Sequence, residues 1–562
     1  MKKKVFNFML ATTIISSVLV GCGSKNSVTN LDGSIDEIEE VETTGKNVYG
    51  WDVPKETMNF TYYAKGMMDP NDIKKYMGKM QDYMLENFNI NIEKRVYNTD
   101  STERFNLAMA SNDYPEVVSN LTKTDVLQMK EQGKVVDLTQ YMDKYGQNLK
   151  NALGDKYNRY LDDDGKLFYL PGGWGLLPIP DYTAHIHHDT WEALGSPKSI
   201  PLDTYYEALK EDIQKNPTNA DGQKRYALSW HDSVSIETVA GFWGLKMGYK
   251  EDENNKLTHW VNTQEGYEFT KFYNQAYQDG LFDPDGFTNK FDDWKSKFST
   301  RRIVGHIGGW WECWNAGHEV WQKTDPNWTE ADRYVPVNIE VPGVEQSYLS
   351  PKNTSAGSYT VITDKVESQE KIVQIIKFMD LMASDNMTRL LGWGVPNEAD
   401  SNWNINEDGS WSFNEKSKQD SINGTYDYEL HETFGPQQVW LAHGVEEMSD
   451  LPYGNSWFDQ SLRYENKWLK ILNENLSDTV YDASALIEIN FLPSNDVTVV
   501  KQQVSDIITS YWAKAVLSNS DEEFETNFKE LQSKADQAGV EKLQEYMTEE
   551  YNKNLTNWGL KK

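Results

Sequence analysis

The sequence predicts an α/β protein built on more than one hydrophobic core. Three observations carry this expectation. Its 562 residues exceed what one core usually supports, β-like runs alternate with helical patterns, and 38% hydrophobic with 25% charged residues is a globular composition. Taken in order, NFTYYAKG (59–66) reads as a strand, followed by a helical stretch near 72–87 and by NINIEKRVYN (89–98). Another helical stretch, YPEVVSNL and VVDLTQYM continue the alternation. Ligands in such sheets sit in loops at the carboxyl ends of the strands. Further on, SQEKIVQIIKFMDLMAS (368–384) carries Ile372, Ile375, Ile376, Met379 and Met382 at helical spacing, which predicts a buried face. FETNFKELQSKADQAGVEKLQEYM repeats the pattern with Phe524, Phe528, Leu531, Ala535 and Leu543, and both segments read as core helices.

The N-terminus sets the compartment. Lys2, Lys3 and Lys4 precede a mostly apolar run, 5–20, in the pattern of an export signal. The segment ends in Leu19-Val20-Gly21-Cys22, which resembles the bacterial lipobox, whose cysteine is diacylated and becomes the mature N-terminus. Two acyl chains anchor stably where one binds only marginally. The expectation is a signal peptide at 1–21 and a protein held on the outer face of the cell membrane by diacylglycerol on Cys22. Cys313 is then left without a disulfide partner. Residues 22–55 are poor in apolar side chains and read as a flexible tether with a span of roughly 30 Å, with a short amphipathic helix at 35–42 as the alternative. A formal net charge of -32 repels polyanions, so nucleic acid is not an expected partner.

Several segments in order resemble one family: the extracellular solute-binding lipoproteins of ABC importers, in the large carbohydrate-type branch (family 1) common in Gram-positive bacteria. They are MASNDYPEVV (109–118), GKVVDLTQYM (133–142), DDDGKLFYLPGG (162–173), HHDTWEALGSPKSIPLDTYYEALK (187–210), GYEFTKFYNQAYQDGLFDPDGF (266–287) and 368–394. The resemblance implies a type II periplasmic-binding-protein-like fold, two helix-rich α/β lobes joined by crossing strands with the ligand cleft between them. By analogy the first lobe holds 56–180 and 355–440, and the second 181–354 and 441–562. It further implies a monomeric, non-catalytic protein that captures an oligosaccharide and delivers it to ABC permease subunits, without a cofactor. A lipoprotein that reports ligand to a membrane sensor fits the same sequence. A surface glycan-processing enzyme is the alternative from another class, because paired carboxylates need no local motif.

The cleft residues are geometric expectations. In RIVGHIGGWWECW the reading is a strand at 303–307 that breaks at Gly308-Gly309 and sets Trp310, Trp311 and Trp314 at the cleft mouth around Glu312. An indole can lie on the C–H face of a pyranose, while carboxylates and amides bind its hydroxyls. Trp174 in the glycine-rich loop 172–182, Tyr182 beside the crossover, Trp230 and Trp393 are further stacking candidates, and Asn120 and Asp113 flank EVV as hydrogen-bonding candidates or turn caps. Metal readings are weaker. His185 and His187 share a strand face with Asp189 nearby but lack further ligands, Asp162-Asp163-Asp164-Gly165 lacks the closing Glu of a calcium loop, and in 216–229 only Asp221 is suited to calcium. Local signatures of catalysis are missing, and the surroundings of Cys313 favour its neutral thiol.

Overall fold

A computed structural model describes Ile35, Ile38 and residues 41–65, 78–94, 101–162, 164–172, 180–352, 358–384, 467–492 and 494–561, with scattered positions between 387 and 415. The export signal, Cys22, Trp174 and Trp393 lie outside the described residues.

The supposed tether ends earlier than expected. Strands β1 (Thr43–Val48) and β2 (Trp51–Pro54) form an antiparallel hairpin in which Val48 faces Trp51. Its two-residue turn, Tyr49-Gly50, has positive φ at both positions (53° and 93°), the geometry that matches strand twist in tight hairpins. Trp51 and Val53 are buried in the first core, and the Trp51 indole N–H donates to the Phe88 carbonyl at 2.9 Å. Ile35 reaches the same core. The apolar residues in this stretch are few, but alternation sends them to one face.

The first sheet contains β3 (Met58–Ala64), β4 (Ile90–Lys94), β5 (Val117–Leu121), β6 (Leu170–Gly172) and β14 (Ser358–Ile362), in the order β4-β3-β5-β14-β6. Strand β3 runs parallel to β4 and β5, whereas β14 is antiparallel to β5 and β6. Every residue of β14 is buried, as expected of a strand covered on both faces. The helix Gln369–Met382 buries all five of its predicted apolar positions, and Phe378 meets Phe60 with ring centroids 5.6 Å apart. VVDLTQYM is not a strand. Val135 makes a single bridge to Thr363, after which Asp137 accepts from the backbone and hydroxyl of Thr139 and starts the helix Thr139–Tyr145.

The second sheet is built from β7 (Tyr182–His187), β8 (Ser199–Pro201), β11 (His306–Gly309) and β12 (Tyr334–Glu340), in the order β11-β7-β12-β8. Around it lie the hairpin β9 (Tyr249–Glu251) with β10 (Leu257–His259) and the C-terminal helices Asp496–Val516, Asp521–Ala538 and Val540–Asn557. These helices share the second core, where Phe524, Phe528, Leu531, Ala535 and Leu543 are all buried. Two small pairs complete the described strands: β13 (Ser350–Lys352) with β17 (Val480–Asp482), and β15 (Trp403–Ile405) with β16 (Trp411–Phe413).

The two sheets are joined where the chain passes from Gly172 to Tyr182 and from Lys352 to Ser358. Side chains lock this junction. Asp181 donates its N–H to the Ser350 hydroxyl at 2.8 Å and its carboxylate pairs with Lys352. Glu488, which follows a helix packed in the second core, reaches Tyr359 in the first sheet and lies 3.8 Å from Lys123, at the start of the helix after β5. Burial drives the Lys123 ammonium down to about 8 in spite of the Glu488 charge.

Candidate functional site

The tryptophan segment sits at the junction end of the second sheet. Strand β11 starts later than predicted, at His306, and runs through Gly308-Gly309 rather than breaking there, with Gly309 facing Tyr182 and Gly308 facing Thr183. The helical turn Trp310–Cys313 follows directly. Close approach, not a turn, explains both glycines. A Cβ on Gly308 would lie 2.2 Å from His306 Nε2 and 2.4 Å from Glu312 Oε2, and one on Gly309 would lie 2.6 Å from the Trp311 ring.

Three aromatic rings gather at this corner. Trp311 meets Tyr182 at 6.0 Å and 88°, and Trp310 meets Trp311 at 6.1 Å and 83°. The Trp310 N–H donates to the Asp181 carbonyl at 3.0 Å, so the corner is hydrogen-bonded to the crossing segment itself. Trp311 keeps 37% of its surface exposed, whereas Trp310 and Tyr182 are half-buried. Burial, followed by the nearby Glu312 charge, pushes the Tyr182 phenol up to about 12, so it stays a neutral hydrogen-bonding group. Trp314 points away into a second group, where its indole lies 5.1 Å from the Arg333 guanidinium and edge-on to His318. Trp328 and Trp468 also flank that guanidinium, at 5.3 and 5.0 Å.

Glu312 lies under the corner, 4% exposed. Its Oε2 accepts the Gly309 N–H at 2.9 Å and lies 2.6 Å from His306 Nε2, while its Oε1 is 3.4 Å from His231 Nε2. Burial alone would raise this carboxyl, but the two imidazoles outweigh it and hold it down at about 2. Burial lowers His306 and, more strongly, His185, which stacks on His306 at 5.8 Å and falls to about 3. This buried triad escaped sequence reasoning, since His231 comes from a distant loop.

No family model matches the chain. The fructooligosaccharide ABC transporter substrate-binding protein FusA of Streptococcus pneumoniae is 23% identical over 329 residues, 53% of this chain. The chain spans about half the length (55%) of that curated relative. The structure of a FusA EF-hand mutant in complex with fructo-nystose aligns with a TM-score of 0.66 at 16% identity, covering 89% of this chain and 100% of the other. An extracellular solute-binding protein from Bifidobacterium longum subsp. infantis aligns at 0.64 with 12% identity, covering 89% and 99%. The chain has the two-lobe fold of the solute-binding proteins. The resemblance drawn from its sequence segments is met at the level of that fold.

Within the solute-binding-protein fold the remaining candidates divide. Trp230 is packed edge-on against Tyr273 and Trp512 at 5.5 and 5.1 Å and is 5% exposed, so it serves the second core rather than presenting a face to ligand. Glu312 spends its carboxylate on internal partners, which removes it as a direct hydroxyl acceptor. Asn120 lies at the junction end of β5 with φ 55°, and its amide donates to the Lys65 carbonyl at 2.6 Å, tying two strand ends together. Asp113 precedes β5 at the opposite end of the strand, so the two residues flanking EVV do not share a site.

The metal sets weighed from the sequence do not assemble among the described residues. His185 and His187 face different partners, His306 and Tyr334, and Asp189 sits beside His188 in the next helix. Asp162 closes its own turn by accepting from Asp164 and Lys166, and in the loop at 219–223 it is Asn219 that accepts from Asp221 and Gln223. Among the described residues His231, His306 and Glu312 do come within ligating distance of one another. The hydrogen bond of His306 to Glu312 suits a carboxylate clamp better than zinc. His231 Nδ1 accepts the Ser233 N–H at 3.3 Å, which leaves the ring proton on Nε2, the atom a metal would need. His306 Nδ1 has no hydrogen-bond partner among the described residues, where a ligating histidine donates to an outer acceptor. Cys313 is fully buried, and burial raises its thiol far above the usual range, which leaves it inert.

Proposed function

We propose that the chain is the substrate-binding component of an ABC importer and captures an extracellular oligosaccharide between its lobes. The observation that carries the reading is the corner of Tyr182, Trp310 and Trp311, anchored to the crossing segment through Asp181. A ring of C–H bonds gains contact by lying on Trp311, and near-perpendicular neighbours wall its edge. The FusA complex with fructo-nystose supports a saccharide as ligand class. Two lobes that both touch one ligand close by its differential affinity for the closed state, which turns occupancy into a shape a permease can read. In this reading Cys22 carries diacylglycerol and holds the protein at the membrane beside that permease. The binding role is non-catalytic, so sugar leaves as it arrived.

The test is a titration of the purified protein with kestose and then with malto-, xylo- and manno-oligosaccharides, following tryptophan fluorescence and analysing each sugar afterwards. Saturable fluorescence change with intact sugar is the expected result. Silence across all four classes would refute the saccharide ligand, and cleavage products would establish the enzyme alternative.

A further inference from the structure

We propose that Glu312 is a positioning residue for saccharide binding: its buried carboxylate, clamped by His306 and the Gly309 amide with His231 alongside, fixes the angle at which Trp310 and Trp311 leave the second sheet. This rests on the proposed function, and it assigns to the triad a role in specificity that its burial alone does not suggest.

The carboxylate joins three chain segments. His306 and Gly309 are the first and last residues of β11, His231 belongs to the loop after Leu228, and Glu312 to the helical turn that carries the indoles. His231 is itself held, by the Ser233 N–H on Nδ1 and by the rings of Trp294 and Phe291 at 4.9 and 5.3 Å. Trp310 and Trp311 lie between Gly309 and Glu312, inside the short loop that the 2.9 Å hydrogen bond closes. Their backbone therefore has its two ends fixed to each other and to the sheet. An ionised carboxylate suits this task because its Oε2 accepts from His306 and the Gly309 amide at once, with charge-assisted strength, while Oε1 faces His231 at 3.4 Å. A glutamine keeps the shape but turns one acceptor into a donor that faces an imidazole N–H. The helical turn then loses a tie and the corner angle relaxes. A saccharide held on one ring and walled by two others discriminates by that angle, so the loss falls on affinity and selectivity as well as on stability.

The experiment compares Glu312→Gln with Trp311→Ala in binding of the oligosaccharide class that responds best in the titration, kestose being the first probe. Trp243→Phe, a substitution in the same core away from the corner, controls for general loosening. The expected result is a loss of at least tenfold in affinity for both Glu312→Gln and Trp311→Ala, with unchanged far-UV circular dichroism. Trp243→Phe is expected to bind as the parent does. Glu312→Gln should also shift the tryptophan emission of the unliganded protein to the red, a shift absent when Trp311→Ala is combined with it. If Trp311→Ala loses affinity while Glu312→Gln keeps it, positioning is refuted and the binding reading stands. If Trp311→Ala binds normally, the corner is not the site and both fall. An equal loss in Trp243→Phe would reduce Glu312 to a stabilising residue. Should Glu312→Gln fail to fold, His306→Phe removes the 2.6 Å partner of Oε2 while keeping a ring, and unchanged affinity and emission there overturn the proposal.

Discussion

Gly308 shows how tightly the corner is built at the scale of one residue. A methyl group there would strike His306 Nε2 and Glu312 Oε2 together, and both partners are buried with nowhere to retreat. Gly308→Ala is therefore expected to destabilise the protein by about 1–3 kcal/mol, the usual cost of overpacking, read as a lower urea midpoint. A change below about 0.5 kcal/mol, the scale of surface substitutions, would show that the pair shifts freely and that the clamp is loose. The sequence offered a real signal here, since two glycines before a tryptophan run mark unusual backbone. It did not show which freedom was being used. Close approach and turn formation draw on the same residue, and only the positions of His306 and Trp311 distinguish them.

At the scale of elements, patterning was legible wherever periodicity was long. The helices 369–382 and 521–538 repeat apolar residues often enough that their buried faces could be named. The hairpin at 43–54 was not legible because its apolar residues are few and polar neighbours surround them. Their burial depends on Phe88 and the rest of the first core, which no local pattern announces. Trp51→Ala decides between the two descriptions. A tether residue would change nothing, whereas a Trp at 8% exposure with a 2.9 Å hydrogen bond should cost about 3 kcal/mol. Differential scanning calorimetry should show the transition moved down by several degrees, and an unmoved transition would restore the tether. The site was the least legible part, for a related reason. Tyr182, Trp310 and Trp311 could be nominated by type, but Trp230 carries the same indole and is core. Which face of an aromatic meets ligand is set by packing between segments distant in sequence.

At the scale of the whole molecule, buried histidines govern the response to acid. Burial holds His185 and His259 down to about 3, from an ordinary 6.5, so each is neutral in the folded protein where it would be protonated in the unfolded chain. The unfolded state then binds more protons, and stability falls as pH drops below about 6.5. Between about pH 7 and about pH 5 each group contributes a loss of roughly 2 kcal/mol. His306 and His318, also lowered first by burial, act in the same direction. Glu312 does not, because its depressed value gives a contribution that is full above its ordinary 4.5 and is lost between there and about pH 2, below this window. The two groups therefore separate along the pH axis: histidine-driven loss comes first and leaves the clamp ionised. Thermal unfolding should show a clear drop in midpoint from pH 7 to pH 5, and His259→Asn should remove part of it, since His259 is buried against Trp260 and Tyr249 away from the corner. A midpoint that stays level between those values would mean that the unfolded chain shields its histidines or that the folded protein protonates them. In either case neutral burial would not be what fixes β7 against β11, and the stack of His185 on His306 beneath the tryptophan corner would need another source of rigidity.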